Sequence, residues 1–363
     1  MKTIAEHIKN NPLALLVVAI PLALIAELGG WSPVWIFVLS AVGVIPMAGY
    51  IGAATEVLAV YTGPKIGGLL NATLGNAAEL IITLMAVRAG LLELVKASIT
   101  GSILGNLLLV LGVSMVVGGL RHGEQRFDRR QASNNAILLT LTIIALIIPS
   151  LFSQSIGPNG DPRVEALSLG VAVVMLILYI LGLIYSLRMS KSPVTYPSTE
   201  SAHHKPHWSR TRALLVLGLS TAMVVWLSEL LVGATEHVVE SIGLSEFFLG
   251  IILIPIVGNV AEHFVAVQVA SRNQMELSVE IAVSSSLQVA LFVAPLLVFV
   301  SLWMGYPLTL TFNQFELLAL IAAVVVTSLV ASDGESNWLE GTALLAVYLI
   351  LGIAFFLLPT LGG

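Results

Sequence analysis

Two short motifs carry the chemistry this chain could do. Gly75-Asn76-Ala77-Ala78-Glu79 and Gly258-Asn259-Val260-Ala261-Glu262 each place a carboxylate three residues after a carboxamide. On a helix that spacing puts both side chains on one face. Each motif opens with Gly. Gly67, Gly68 and Gly75 loosen the first helix, and Pro255 and Gly258 loosen the second. Pro255 cannot donate to the carbonyl four residues back, so backbone oxygen is freed there. Two carboxylates, two amides and freed carbonyls make an all-oxygen, doubly negative site. Ca²⁺ takes about six to eight oxygen ligands in flexible geometry and suits such a set. The chain has no Cys, and only His237 and His263 fall in apolar segments, which argues against Zn²⁺ or Cu²⁺. It has neither an HExxH pair nor a GxSxG elbow, so a membrane-embedded enzyme is the weakest reading.

The elements that must position these motifs are membrane helices. Of 363 residues, 57% are hydrophobic and 10% charged, against roughly 25% charged in soluble proteins. Too few charges remain to build a water-facing surface, and the net charge of −5 gives no basic footprint for nucleic acid. The chain reads as an all-α polytopic membrane protein. Apolar stretches long enough to span a bilayer fall near 12–28, 33–61, 65–88, 92–118, 134–153, 164–188, 210–240, 247–271, 276–304, 314–332 and 338–358, about eleven in all. The first is read as an uncleaved helix rather than a signal peptide. With the N-terminus in the cytoplasm, thirteen Lys and Arg fall in cytoplasmic loops, including Arg121, Arg126, Arg129 and Arg130; Arg88, Lys96 and Arg163 fall outside. That bias predicts N-terminus inside and C-terminus outside. Residues 189–209, polar with three His and three Pro, read as a solvated cytoplasmic linker.

The chain also repeats itself. Aligning Gly75 with Gly258 sets an offset of 183, which places Glu93-Leu94 on Glu276-Leu277 and Ser102 on Ser285. Thr55-Glu56 parallels Thr235-Glu236 if one loop differs by three residues. The organisation expected is an extra N-terminal helix (1–30), a first five-helix repeat (31–188), the linker (189–209) and a second five-helix repeat (210–363). An odd number of spans per repeat inverts the second relative to the first, and transporters of that design bind substrate at the repeat interface near the midplane.

Six Glu lie within or at the end of a span: Glu27, Glu56, Glu79, Glu229, Glu236 and Glu262. A carboxylate mid-membrane costs at least about 2.5–3.5 kcal/mol and needs a partner or a proton. With almost no Lys or Arg inside the spans, a bound cation and H⁺ are the natural neutralisers. One such Glu could simply hydrogen-bond helices together; two at matched repeat positions favour a site. The following segments add oxygens at Ser102 and Asn106 in the first half, and at Ser284, Ser285, Ser286 and Gln288 in the second. Ser102, Ser285 and Gln288 are the choices as ligands, although such residues also pack helices. Glu56, Glu229 and Glu236 read as mouth-facing acids or as a cation relay or gate, and Glu27 as interfacial. His263 points to a different face from Glu262, as a packing residue or as a group on a proton path.

With these residues in hand, the sequence resembles the Ca²⁺/H⁺ exchanger family within the calcium:cation antiporter superfamily. GNAAELI (75–81) and PIVGNVAEH (255–263) look like its two repeat signatures, and the resemblance spans nearly the whole chain. It implies that Glu79 and Glu262 alternately bind Ca²⁺ and protons. It also implies that Asn76, Asn259 and the backbone around Gly75 and Gly258 line the site, with Ser102, Ser285 and Gln288 beside them. Segments 33–61 and 210–240 match the pair that slides to alternate access. The expected activity is exchange of cytoplasmic Ca²⁺ for H⁺ across a cell membrane, a prokaryotic plasma membrane, with no cofactor. Partners are the two ions and the lipid bilayer; a homo-oligomer stays open. A Na⁺- or K⁺-coupled exchanger is the alternative, and a cation channel a remote one. The Cys-free chain allows the orientation to be read directly. A single cysteine at Glu124→Cys is expected to react with an impermeant thiol reagent only from the cytoplasmic face, and one at Asn159→Cys only from the outer face.

Overall fold

Long apolar runs and few breakers dictate an almost wholly helical molecule. The computed structural model describes residues 12–157, 160–188 and 208–358; most of the 189–209 linker, with its three His, lies outside them. A 3₁₀ turn leads into α1 (Leu15–Leu28). There follow α2 (Pro33–Gly63), α3 (64–74), α4 (Ala77–Arg88), α5 (Leu92–His122), α6 (Arg129–Ile156) and α7 (Pro162–Arg188). The second half holds α8 (Arg210–Ile242), α9 (Glu246–Ala270), α10 (Met275–Met304), α11 (Gln314–Val330) and α12 (Trp338–Leu357). Eight of these are long and apolar enough to cross a membrane. The apolar stretch 65–88 is met by two short helices, α3 and α4, because the chain breaks twice. Gly63 sits at φ 83°, a left-handed conformation that L side chains rarely adopt. Asn76 leaves the helical region at φ −95°, ψ 25° and becomes the N-cap of α4.

Side-chain caps set several boundaries. Asp128 accepts from the backbone N–H groups of Arg130 and Gln131 at the start of α6. Asn313 with Glu316, and Asn337 with Glu340, form reciprocal capping boxes that start α11 and α12. A two-residue ribbon pairs β1 (Gln125–Arg126) antiparallel with β2 (Glu335–Ser336). The loop after α5 therefore meets the loop after α11, as an alternating path through eleven spans requires. At the opposite end, Lys96 near the start of α5 donates to the carbonyl of Thr311 ahead of α11 at 3.1 Å. Lys96 was expected in an outer loop. It is instead buried in α5, 5% exposed, because Glu93 and the Thr311 carbonyl satisfy its ammonium.

The core is built from α4, α5, α9 and the first half of α10, with α2 and α8 packed along each other beside it. Within these helices the backbone widens into π turns at Gly105–Val110, Leu249–Leu253 and Val289–Val293. Such turns concentrate at functional sites. The first and third occupy matching repeat positions; the second directly precedes Pro255. The carbonyl of Ile251 lies four residues before Pro255, which has no N–H to offer it. It seats against Gly101 of α5, so closely that a Cβ on Gly101 would strike it. The two halves thus meet backbone to backbone. Gly101→Ala is expected to destabilise the protein by about 1–3 kcal/mol through overpacking, read as a lower unfolding temperature in detergent. Gly105→Ala, one turn on, meets nothing within 4 Å and is expected to be neutral or slightly stabilising.

Candidate cation site

Each motif delivers its amide and carboxylate through the local backbone. In the first half, Asn76 caps α4 and Glu79 lies in its first turn. In the second, Asn259 and Glu262 sit within α9 after Pro255. The four core helices then cross so that the amide of each half reaches into the other. Asn76 Nδ2 donates to Gln288 Oε1 at 2.7 Å. Ser285 Oγ lies 2.9 Å from Glu262 Oε2 and 3.1 Å from Asn76 Oδ1. Asn259 Nδ2 lies 3.2 Å from Ser102 Oγ, 3.4 Å from Glu79 Oε2 and 3.1 Å from the carbonyl of Pro255. The glycines admit this approach. A Cβ on Gly75 would lie 3.3 Å from Glu262 Oε1, and one on Gly258 would lie 3.5 Å from the backbone of Glu79.

All nine ligand candidates read from the sequence therefore gather in one place between the halves, seven of them buried and Gly75 and Glu262 half-buried. Asn76, Glu79, Ser102, Asn259, Ser285 and Gln288 are each under 5% exposed. None of the ion pairs among the described residues involves either of them. Glu79 Oε1 is buried and has no hydrogen-bond partner among the described residues. No group of three or more His, Cys, Asp or Glu converges as a metal cage among the described residues. The set is oxygen-rich and anionic without being closed.

Two residues sit differently from their expectation. Asn106, set aside in favour of its neighbours, donates to Ser285 Oγ at 3.0 Å. Its Oδ1 lies 3.2 Å from His263 Nε2. His263 does leave the Glu262 face, yet Asn106 and Ser285 lead from it back to Glu262. The π turn at Gly105–Val110 holds Asn106 there, and nothing in the sequence marks that turn. The outlying acids stay apart from this cluster. Glu229 on α8 faces Arg88 at 3.8 Å, both well exposed, a pair worth little. Glu56 and Glu236 are exposed on α2 and α8, and Glu27 is exposed at the end of α1.

Helices that break or widen around a buried, oxygen-lined centre, with matched ligands from both halves, are the architecture of a membrane transporter. Its known relatives agree. The family model described as "Sodium/calcium exchanger protein" matches residues 32–188 and 212–357. The "Ca(2+)/H(+) antiporter" of Aphanothece halophytica is 42% identical over 367 residues, covering 97% of this chain and 98% of that one. The "Ca(2+)/H(+) antiporter ChaA" of Bacillus subtilis is 44% identical over 348 residues, covering 95% and 98%. The solved structure of native YfkE matches with a TM-score of 0.83 at 42% identity, covering 95% of this chain and 100% of its own. The chain belongs to the sodium/calcium exchanger protein family.

Ser285 contacts one carboxylate and two amides, so it is the residue whose loss should loosen the site without removing its charge. Ser285→Ala is expected to weaken Ca²⁺ binding roughly tenfold, the scale of one hydrogen bond to a charged group. Ser285→Thr is expected to restore most of it. Isothermal titration of folded, monodisperse protein in detergent makes the comparison.

Proposed function

We propose that this protein exchanges cytoplasmic Ca²⁺ for H⁺ by alternating access, with Glu79 and Glu262 as the groups that carry both ions. The observation that carries this reading is the pair of carboxylates between the halves, Glu79 buried and Glu262 half-buried, with no cationic side chain paired to either among the described residues. The names of relatives more than 40% identical over nearly their full length support the choice of ions.

The coupling follows from charge. Two unneutralised carboxylates in a low-dielectric site are costly. One Ca²⁺ cancels both charges, and so do two protons. The doubly ionised, ion-free site is then the state least able to rearrange, while the Ca²⁺-loaded and protonated states can reorient. Ca²⁺ taken up on the cytoplasmic side is released outside as protons arrive down their gradient. Asn76, Asn259, Ser102, Ser285 and Gln288 supply neutral oxygens around the acids, with backbone oxygen near Gly75 and Gly258. Glu56, Glu229 and Glu236, exposed on the paired helices α2 and α8, attract cations toward the core in this reading, and His263, hydrogen-bonded to Asn106, lies beside the path that protons take. The two working halves are residues 31–188 and 210–363, with helix 1–30 outside the repeat. The protein sits in a prokaryotic plasma membrane with its N-terminus in the cytoplasm and its C-terminus outside.

Ca²⁺ uptake into proteoliposomes under an imposed proton gradient tests this. Uptake should follow the gradient, stop when it is collapsed, and be abolished in Glu79→Gln and Glu262→Gln while both variants remain folded. Because protons and Ca²⁺ compete for the same oxygens, apparent Ca²⁺ affinity should fall as pH is lowered on the loading side. Uptake driven by a Na⁺ gradient and indifferent to pH would assign the protein to the sodium-coupled branch instead.

A further inference from the structure

The two halves bring matched acids, amides and hydroxyls to the centre, but one position there has no match. The 183-residue offset that pairs Ser102 with Ser285 pairs Gly105 with Gln288. Gln288 fills its side of the centre. Its Oε1 accepts from Asn76 Nδ2 at 2.7 Å and lies 3.6 Å from where a Cβ on Gly75 would be. Gly105 is buried too, as are Leu104, Asn106 and Leu108 around it, yet a Cβ built on it would meet nothing within 4 Å. Protein interiors are close-packed and hold few voids larger than a water molecule. A buried glycine that faces open space therefore calls for a reason.

Its neighbours locate this recess. Gly101, one turn earlier on the same face of α5, has α9 against it at Ile251 and Pro255. Ser102 meets Asn259 of α9 at 3.2 Å, and Asn106 meets His263 of α9 at 3.2 Å. The recess at Gly105 thus lies between α5 and α9, bounded by those two contacts and beside the turn that carries Asn259 and Glu262. The contacts on this side of the centre are also the looser ones. Asn76 Nδ2 has the Gln288 amide, whereas its counterpart Asn259 Nδ2 spreads over Ser102 Oγ, Glu79 Oε2 and the Pro255 carbonyl at 3.2, 3.4 and 3.1 Å. Glu262 Oε1 would lie 3.3 Å from a Cβ on Gly75. The nearest atoms to a Cβ on Gly258 would be Cα, Cβ and N of Glu79, at 3.5 to 3.7 Å, with no side-chain oxygen among them. Glu79, on this same side, carries the buried Oε1 that has no hydrogen-bond partner among the described residues.

We infer that Gly105 determines which cations the centre accepts. Its recess gives the Glu79–Asn259 side room to adjust around an ion, while Gln288 closes the opposite side, so ion size is read at position 105. The inference rests on the reading of Glu79 and Glu262 as the cation-carrying pair and adds the residue that sets its selectivity. Ca²⁺ binds oxygen at about 2.3–2.6 Å in adaptable geometry, against about 2.0–2.1 Å for Mg²⁺, and Sr²⁺ is larger than either. Any side chain at position 105 takes space from the large ions first. Selection of this kind works by exclusion and needs no contact from residue 105 to the ion.

The test is titration of Ca²⁺ and Sr²⁺ into full-length protein in detergent by calorimetry, with thermal unfolding to check each variant. The unsubstituted protein should bind Sr²⁺ as well as Ca²⁺, because the recess has room for the larger ion. Gly105→Ala should lower Sr²⁺ affinity about tenfold relative to Ca²⁺, the scale of one methyl group in a fitted pocket. Gly105→Ser, close to alanine in size but bearing an oxygen, should bind Ca²⁺ more tightly than Gly105→Ala does, a difference that a purely structural role would not produce. Gly105→Gln, which copies the matching half, should abolish Ca²⁺ binding while the protein stays folded. Ca²⁺ binding without Sr²⁺ binding in the unsubstituted protein would overturn the inference, and that comparison needs no variant to fold. An unchanged Sr²⁺ to Ca²⁺ ratio in folded Gly105→Ala would overturn it too, as would full Ca²⁺ binding in folded Gly105→Gln. Ca²⁺ binding that survives Glu79→Gln would instead remove the reading on which the inference rests. Uptake driven by Na⁺ would change the coupling ion and leave size selection as it is, so the two can fail separately.

Discussion

The rest of this structure answers one constraint: two carboxylates enclosed in an apolar bundle, Glu79 buried and Glu262 half-buried, with no cationic side chain paired to them among the described residues. Each needs polar neighbours that do not cancel its charge, which leaves amides and hydroxyls. Those neighbours come from both halves. Asn259 reaches across to Glu79, and Ser285 meets Glu262 within its own half while bonding Asn76, itself paired with Gln288, from the other. To bring them within hydrogen-bond reach, the helices must approach more closely than side chains normally allow. Hence the chain breaks at Asn76, widens into π turns and sets glycine where backbones touch. The irregular backbone is a consequence of the buried charge. It is tolerated at membrane depth because it is enclosed in protein.

Most of the site was legible in the sequence because the repeat wrote it twice. A buried Glu beside Asn is ambiguous once; at matched positions of two halves it points to a shared centre, and Ser102 and Ser285 follow from the same offset. Helix segments were legible because membrane spans are set by length and apolarity, which are local. What stayed hidden depends on distant partners. Lys96 counted as a loop charge because only Thr311, 215 residues away, shows that its ammonium can be buried. Glu316, buried at the start of α11, is met by Thr100 from the other half and by its own capping box. Asn106 looked like one more small polar residue until the π turn aimed it at Ser285.

The two halves differ in charge as well as in backbone. Glu93 and Glu276 match, but lysine follows one and valine the other at the same spacing. At one end the Lys96 ammonium is held within the fold by Glu93 and the Thr311 carbonyl; at the other the matching residue carries no charge. A duplicated chain thus carries a built-in polarity between its two faces, although its core ligands are shared evenly.

The close seating of the Ile251 carbonyl on Gly101 has a mechanical consequence. Backbone wedged against backbone, with amides crossing on either side, does not slip, so the core helices of the two halves can turn only as one block. Motion must be taken up elsewhere, and the α2–α8 pair is made for it. The buried hydroxyls of Thr55 and Thr235 are spent on carbonyls within their own helices, at 2.8 and 3.0 Å, and not on bonds to the block they lie against. Hydrocarbon sliding over hydrocarbon meets little directional resistance, so shear is concentrated on a surface with low friction. The stiffness that holds the acids in place therefore also decides which surface of the molecule yields.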